Sequence, residues 1–277
     1  MTSPIALVTC SALPNLEDDD HPLVDALAEL GHRPVTTLWD DPSIRWADFG
    51  AVVVRSPVDY VERLEGFLGW AASVERLHNS FPTLRWNTDK AYVRDLEAAG
   101  LTVVATQWLT PGEPLEERDG PFVVKPAVGV GGIGVGRYER DEHPLGAAHV
   151  RRLHDAGQTA LVQPYLRSVE DEGEVSLVYC EGTYSHAVRS VGFVPEADVH
   201  PVPCRPDAGE RQLADRVIDH VTRRFGPPLY ARVDLLETPD GPAVNELEVT
   251  DPILHLRRAP GSAHRFAQAI VRRLIAP

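Results

Sequence analysis

Lysine is almost absent from this 277-residue chain: of 27 lysines and arginines, only Lys90 and Lys125 are lysine. Where any cation serves, the chain uses arginine. The two lysines therefore mark positions that want a compact ammonium rather than a wide planar guanidinium. Cysteine is scarce as well. Cys10, Cys180 and Cys204 are far apart and odd in number, which excludes a disulfide framework and zinc-ligand spacing. No run approaches the ~18 apolar residues of a membrane span, and the N-terminus has neither a basic region nor a long apolar one, so a cytoplasmic location is expected. Positive charge is short overall, and a net charge of −14 argues against nucleic acid or an anionic membrane as the main partner. Apolar residues are not short: 43% apolar and 25% charged is the balance of a globular protein with real cores.

What is present centres on Phe122-Val-Val-Lys-Pro-Ala-Val-Gly-Val-Gly-Gly-Ile-Gly-Val-Gly-Arg137. Strand-compatible residues end on Lys125, and five glycines follow between Gly129 and Gly136. Such density lets the main chain reach positive φ and turn several N–H groups onto phosphate oxygens, while the lysine adds a point charge. The string Gly129-Val-Gly131-Gly132-Ile-Gly134 also matches a dinucleotide fingerprint, but that needs a helix directly after the third glycine. Val135-Gly-Arg-Tyr138 reads as a strand instead, so a hairpin closing over phosphates is expected.

The first ninety residues alternate strand and helix: strands at 5–10, 34–39 and 51–56, helices at 21–30 and 61–74. This implies a small parallel sheet covered on both faces. Ligands bind at the C-terminal ends of such strands. Thr9, Cys10, Trp39, Asp40, Arg55, Ser56, Asp59 and Tyr60 are therefore candidate substrate contacts. Asn87 or Thr88 is expected to cap a helix to Ala99, with Lys90 in its first turn against the helix dipole. Further on, a helix is expected over 147–156. A strand over 160–166 is stopped by Pro164, leaving backbone at Gln163 and Tyr165 for a base edge. A hairpin about Glu181-Gly182 carries Arg189 at its far end. A four-proline loop over 195–206 leads into an amphipathic helix over 210–225.

The strands 230–236 and 243–249 are joined through Pro239-Asp-Gly241. Alternation puts Arg232 and Asp234 on one face of the first, and Glu246 and Glu248 on one face of the second. Three carboxylates at facing positions would repel unless a hard divalent cation joined them.

Together, Lys90, Lys125 with its glycine hairpin, Gln163-Pro-Tyr-Leu166, Arg232-Val-Asp234 and Glu246-Leu-Glu248 resemble the ATP-grasp superfamily on its glutathione synthetase and D-alanine–D-alanine ligase side, over roughly 85–255. The resemblance implies an α/β domain with a small parallel sheet followed by α+β ATP-grasp domains, divided 1–88, 89–165 and 166–277. It implies that Lys90 and Lys125 bind ATP phosphates, that Gly129 to Gly136 form a mobile lid whose Gly131, Gly132 and Gly134 contact the nucleotide, that Gln163, Tyr165 and Leu166 hold adenine, and that Glu174 holds ribose. Asp234, Glu246 and Glu248 would hold two Mg²⁺ ions, with Mn²⁺ acceptable, and Arg189 and Arg232 would serve the transferred phosphoryl group. Glu248 stands where the family usually has Asn, and Val175 and Ser176 where basic residues often follow the ribose acid.

Trp39-Asp-Asp41, Arg55-Ser56, Asp59-Tyr60, Trp86 to Lys90 and Tyr184-Ser-His-Ala-Val188 are similar to the subgroup containing the D-cycloserine-forming synthetase. That similarity adds Ser185 and His186 to the substrate candidates, while Pro57-Val58 departs from the Thr-Trp expected there. The implied activity is ATP- and Mg-dependent joining of a carboxylate to an amine through an acyl phosphate, on an amino-acid-like substrate, with ring closure within one molecule as in D-cycloserine formation. An intermolecular peptide ligase and a non-catalytic nucleotide-binding regulator are the alternatives, and a homodimer is allowed.

Overall fold

The computed structural model describes residues 3–193 and 200–275. Strands β1 (Ile5–Thr9), β2 (Pro34–Leu38), β3 (Ala51–Ser56) and β4 (Leu77–His78) form the expected parallel sheet in the order β2-β1-β3-β4. Every residue of β1 and β3 is buried, which is why both read as unbroken apolar runs. Helices α1 (His21–Glu29) and α2 (Leu64–Ser73) follow β1 and β3. The turn before α2, at 58–62, is a 3₁₀ segment, so the helix starts three residues later than its periodicity suggests.

Asn87 does not open a helix. It ends α3 (Phe81–Asn87), and α4 (Tyr92–Ala98) begins after a break that contains Lys90. Pro82 sits in the first turn of α3, where its missing N–H costs nothing.

The glycine stretch lies in a second sheet. Strands β5 (Gln107–Leu109), β6 (Phe122–Pro126), β7 (Gly136–Tyr138) and β8 (Ala160–Pro164) run antiparallel in the order β5-β8-β6-β7. Val124 pairs with Gly136 and Phe122 with Tyr138, so the glycine loop closes a hairpin and no helix follows Gly134. Helix α5 (His143–Asp155) backs this sheet and starts four residues earlier than expected, with Pro144 in its first turn.

After the short α6 (Ser168–Asp171) comes a five-stranded antiparallel sheet. It contains β9 (Glu174–Cys180), β10 (Thr183–Ser190), β11 (Val202–Cys204), β12 (Tyr230–Thr238) and β13 (Gly241–Glu248), in the order β11-β10-β9-β12-β13. Strand β11 falls within the expected proline loop, of which 195–199 lie outside the described residues. Helix α7 (Ala208–Phe225) is capped reciprocally: Asp207 accepts from the Glu210 amide at 2.8 Å, and Glu210 accepts from the Asp207 amide at 2.7 Å. Its apolar face, Leu213, Val217, Ile218 and Val221, packs on Val175, Leu177, Ala231, Val233 and Leu247. The alternate residues of β9, β12 and β13 are thereby directed to the opposite face.

The last helix, α8 (Ser262–Ile275), packs back on the first sheet, where Phe266 and Ile270 meet Ile5, Leu7, Leu23 and Leu27. No helix among the described residues is long and apolar enough to cross a membrane.

Two buried asparagines tie these parts together. Asn79 donates to the carbonyls of Tyr230 and Val249 and accepts from the Leu229 amide. Asn87 donates to Leu247 O at 2.7 Å and accepts from the Val249 amide at 2.9 Å. Replacing Asn87 with Ala orphans a buried N–H and a buried C=O. A loss of about 2–4 kcal/mol is expected in urea denaturation, and an unchanged midpoint would contradict this account.

Candidate active site

A cavity of about 680 Å³ opens between the β6–β7 hairpin and the face of β9, β12 and β13 turned away from α7. Lys90, Lys125, Gly131, Gly132, Gln163, Tyr165, Leu166, Glu174, Arg232, Asp234, Glu246 and Glu248 all line it. The chain brings them together from positions far apart in sequence.

Lys90 is held by the break between α3 and α4, where its amide donates to Ala127 O at 2.8 Å. Its ammonium lies 2.9 Å from Glu246 and donates to Gly129 O at 3.1 Å. Burial opposes the charge, but the attraction and hydrogen bond of Glu246, backed by Glu248 and Asp251, lift its pKa above that of an ordinary lysine. Lys125 is buried on β6, 3.4 Å from the side-chain oxygen of Asn245. Burial first, and then Lys90, push its pKa down against the pull of Glu246, Glu174 and Asp234. Glu246 is lowered: burial works against its charge, and the two lysines overcome that.

Arg232 binds two of the three expected metal carboxylates. Its Nε donates to both oxygens of Asp234 at 2.9 and 3.1 Å, and Nη2 donates to Glu248 at 2.7 Å. Among the described residues no three His, Cys, Asp or Glu side chains come together as a ready metal cage. Each carboxylate is matched to a cation instead, which removes the repulsion expected of three facing acids.

The pairing of β12 with β13 slips between Asp234, opposite Glu246, and Leu235, opposite Val244. This bulge leaves Asn245 as the extra residue, so Asn245 and Glu246 both line the cavity. Strict alternation hides Asn245. The slip brings its amide to Glu174 at 2.6 Å. Burial, then the nearby Asp234, raise the Glu174 pKa to about 7 despite that hydrogen bond.

Several expected residues lie elsewhere. Arg189 occupies a β10 position on the α7 side, donating to Glu210 and to Glu172 O at 2.9 Å each, two residues along the strand from Ala187, which packs into the α7 core. Gly134 does not line the cavity but stacks near the Pro126 ring. The Tyr165 backbone is not free: its amide donates to Pro121 O at 2.9 Å, and its hydroxyl to Glu170 at 2.7 Å. The Gln163 backbone is likewise paired, opposite Val123 in the β6–β8 ladder.

None of Arg55, Ser56, Asp59, Tyr60, Ser185 and His186 lines the cavity. Arg55 is buried against Asp20 at 2.8 Å and lies over the Tyr230 ring. Ser56 donates to Thr9, while Asp59 pairs with Arg63 and accepts from Trp39. Tyr60 is buried beside Asp251, and His186 bonds to Leu254 O and Ser185. In their place the cavity carries His255, Arg257 and Arg258 from the loop after β13, with Asp18 and Asp19 from the loop after β1. The adjacent arginines were the only signal in that loop.

Residues 5–79 match the family described as "D-cycloserine synthetase DcsG, N-terminal domain". Over 297 aligned residues the chain is 34% identical to the cycloserine biosynthesis protein DcsG of Streptomyces lavendulae, covering 98% of each. The chain belongs to the D-cycloserine synthetase family. The crystal structure of D-cycloserine synthetase DcsG superposes on this family member with a TM-score of 0.88 at 32% identity, over 98% of this chain and 99% of that one. An ATP-grasp RimK domain protein from Sphaerobacter thermophilus (TM-score 0.70, 20% identity, 97% and 99% covered) shares the fold. So does a D-alanine–D-alanine ligase from Bacillus anthracis (0.69, 13%, 99% and 98%). Membership in the D-cycloserine synthetase family makes the chain an ATP-dependent ligase that forms a C–N bond.

Glu174 binds its proton more tightly in the folded chain than in the unfolded one. Its contribution to stability therefore falls as pH rises from about 4.5 through about 7. Thermal melts of the nucleotide-free enzyme across this window should show Glu174→Gln losing less stability than wild type. Parallel curves would remove the buried-acid account.

Proposed function

We propose that this synthetase activates a carboxylate of an amino-acid-like substrate as an acyl phosphate, and that a nitrogen of the same molecule closes the amide. The observation that carries the reading is the convergence of both lysines of the chain with Asp234, Glu246 and Glu248 on one cavity. Two ammonium groups beside a glycine hairpin suit a triphosphate: Gly131 and Gly132, at φ 59° and 71°, leave their amides open to close approach. The Leu166 amide, which donates to no described residue, suits the adenine edge, and the Glu174 carboxyl, whose pKa burial raises, suits a ribose hydroxyl.

The donors fit a divalent cation. Asp234, Glu246 and Glu248 offer hard oxygens, and Mg²⁺ or Mn²⁺ shared with phosphates needs only one or two carboxylates rather than a full cage. When bound, such an ion supplies charge neutralisation at the transferring phosphoryl group. Arg232, which spans Asp234 and Glu248, would hold the acyl phosphate oxygens as the carboxylate is activated. The glycine hairpin, folding over the cavity, would keep water from the mixed anhydride. Because each of the three sheets lies within one of the ranges 1–88, 89–165 and 166–277, we read these as the units that close on nucleotide.

Opening D-cycloserine at its ring amide gives β-aminooxy-D-alanine, which carries both the carboxylate and the attacking nitrogen. ADP release with this compound alone, together with appearance of the ring, supports cyclisation; release only with pairs of amino acids points to intermolecular ligation. Lys125→Ala and Glu246→Gln should each lower ADP formation by at least about 10²–10³-fold with unchanged far-UV circular dichroism. Near-normal turnover in either variant would refute the assignment.

A further inference from the structure

The loop from Pro252 to Arg258 is tied down residue by residue. Three successive carbonyls accept from side chains on three different strands: Pro252 O from Arg55 of β3 at 2.9 Å, Ile253 O from Arg232 of β12 at 3.1 Å, and Leu254 O from His186 of β10 at 2.8 Å. Two amides then donate to one carboxylate, Leu256 and Arg257 to Asp19 at 2.9 and 3.1 Å. The Arg258 amide closes the turn on His255 O at 3.0 Å.

Such strapping exceeds what an ordinary connection needs, and it holds one residue in an unusual state. His255 has φ 53°, a left-handed conformation that a non-glycine keeps only where its surroundings over-determine it, most often at functional sites. His255 is among the residues lining the cavity, as is Arg232, whose charge acts on the His255 ring, and neither ring nitrogen is hydrogen-bonded to a described residue. Histidines 149, 154 and 186, by contrast, each have a hydrogen-bond partner.

We propose that His255 accepts the proton of the attacking nitrogen, and that Arg55, His186 and Asp19 act as positioning residues that hold its loop. The proposal rests on the ligase reading above and adds the proton acceptor for its second step. In that step the C–N bond forms while the bond from the acyl carbon to the phosphate oxygen breaks. The electron pair leaves with inorganic phosphate, and the proton lost by nitrogen passes to the imidazole. Burial first, then the charges of Arg232, His186 and Arg258, lower the His255 pKa to about 3, so the ring enters the step unprotonated. An acyl phosphate beside Arg232 offsets that positive field as the proton arrives.

The test separates the two half-reactions. His255→Asn is chosen because Asn tolerates left-handed backbone. Variant and wild type are given MgATP with β-aminooxy-D-alanine, scoring ring formation, and then MgATP with D-serine and excess hydroxylamine, scoring hydroxamate. Hydroxylamine in excess supplies its own base, so it reports acyl phosphate formation alone. The expected result is ring formation reduced about 10²–10⁴-fold with a hydroxamate yield near that of wild type, and partial restoration of ring formation in His255→Gly by added imidazole. Equal loss of both products, or ring formation at the wild-type rate, overturns the assignment. A wild-type enzyme that yields neither product overturns the ligase reading and this step with it.

Discussion

The site depends on charge balance on one face of the β12–β13 hairpin. Three carboxylates within a half-buried wall are stable only if each has a cation at hydrogen-bond distance, because an unpaired buried charge costs several kcal/mol. Arg232 serves two of them and Lys90 the third, at 2.7 to 3.1 Å. On the proposed reading this arrangement would also suit a ligand: phosphates would draw on the ammonium groups and a divalent cation on the carboxylates, so each partner taken away would be replaced by another of the same sign.

Geometry keeps that balance local. The bulge at Asn245 tightens the turn of β13 and sets Asn245 and Glu246 side by side. Asn87 and Asn79 bond the backbone of the same hairpin and its neighbours from the N-terminal side. A hairpin so fixed cannot shift register without breaking buried polar contacts, and this preorganises the acids before any ligand arrives. Arg55 and His186 contribute through the loop after β13 rather than through a direct contact, which explains why two buried polar residues lie near the cavity yet outside it.

Much of the architecture was legible because it is written in local pattern. The buried runs of β1 and β3 needed no tertiary information, nor did the glycine stretch with strand-forming residues on both sides, nor the amphipathic α7. Boundaries failed where a local rule had two readings. Asn87 is as good a helix cap as any, yet its amide bonds a strand some 160 residues away, as the packing of α3 against β13 dictates.

The sequence by itself determined the chemistry available to this protein. Two lysines in a chain that otherwise uses arginine, a glycine hairpin and three acids at alternating positions name the groups, because residue type and short-range periodicity are enough for that. Only the tertiary structure decided which of them meet. Arg189 falls on the core face of its strand, Asn245 is turned into the cavity by a one-residue slip, and His255 is presented by a loop with no motif of its own. The physical reason is the same in each case: facing depends on strand register and on hydrogen bonds from distant elements, which no local pattern encodes.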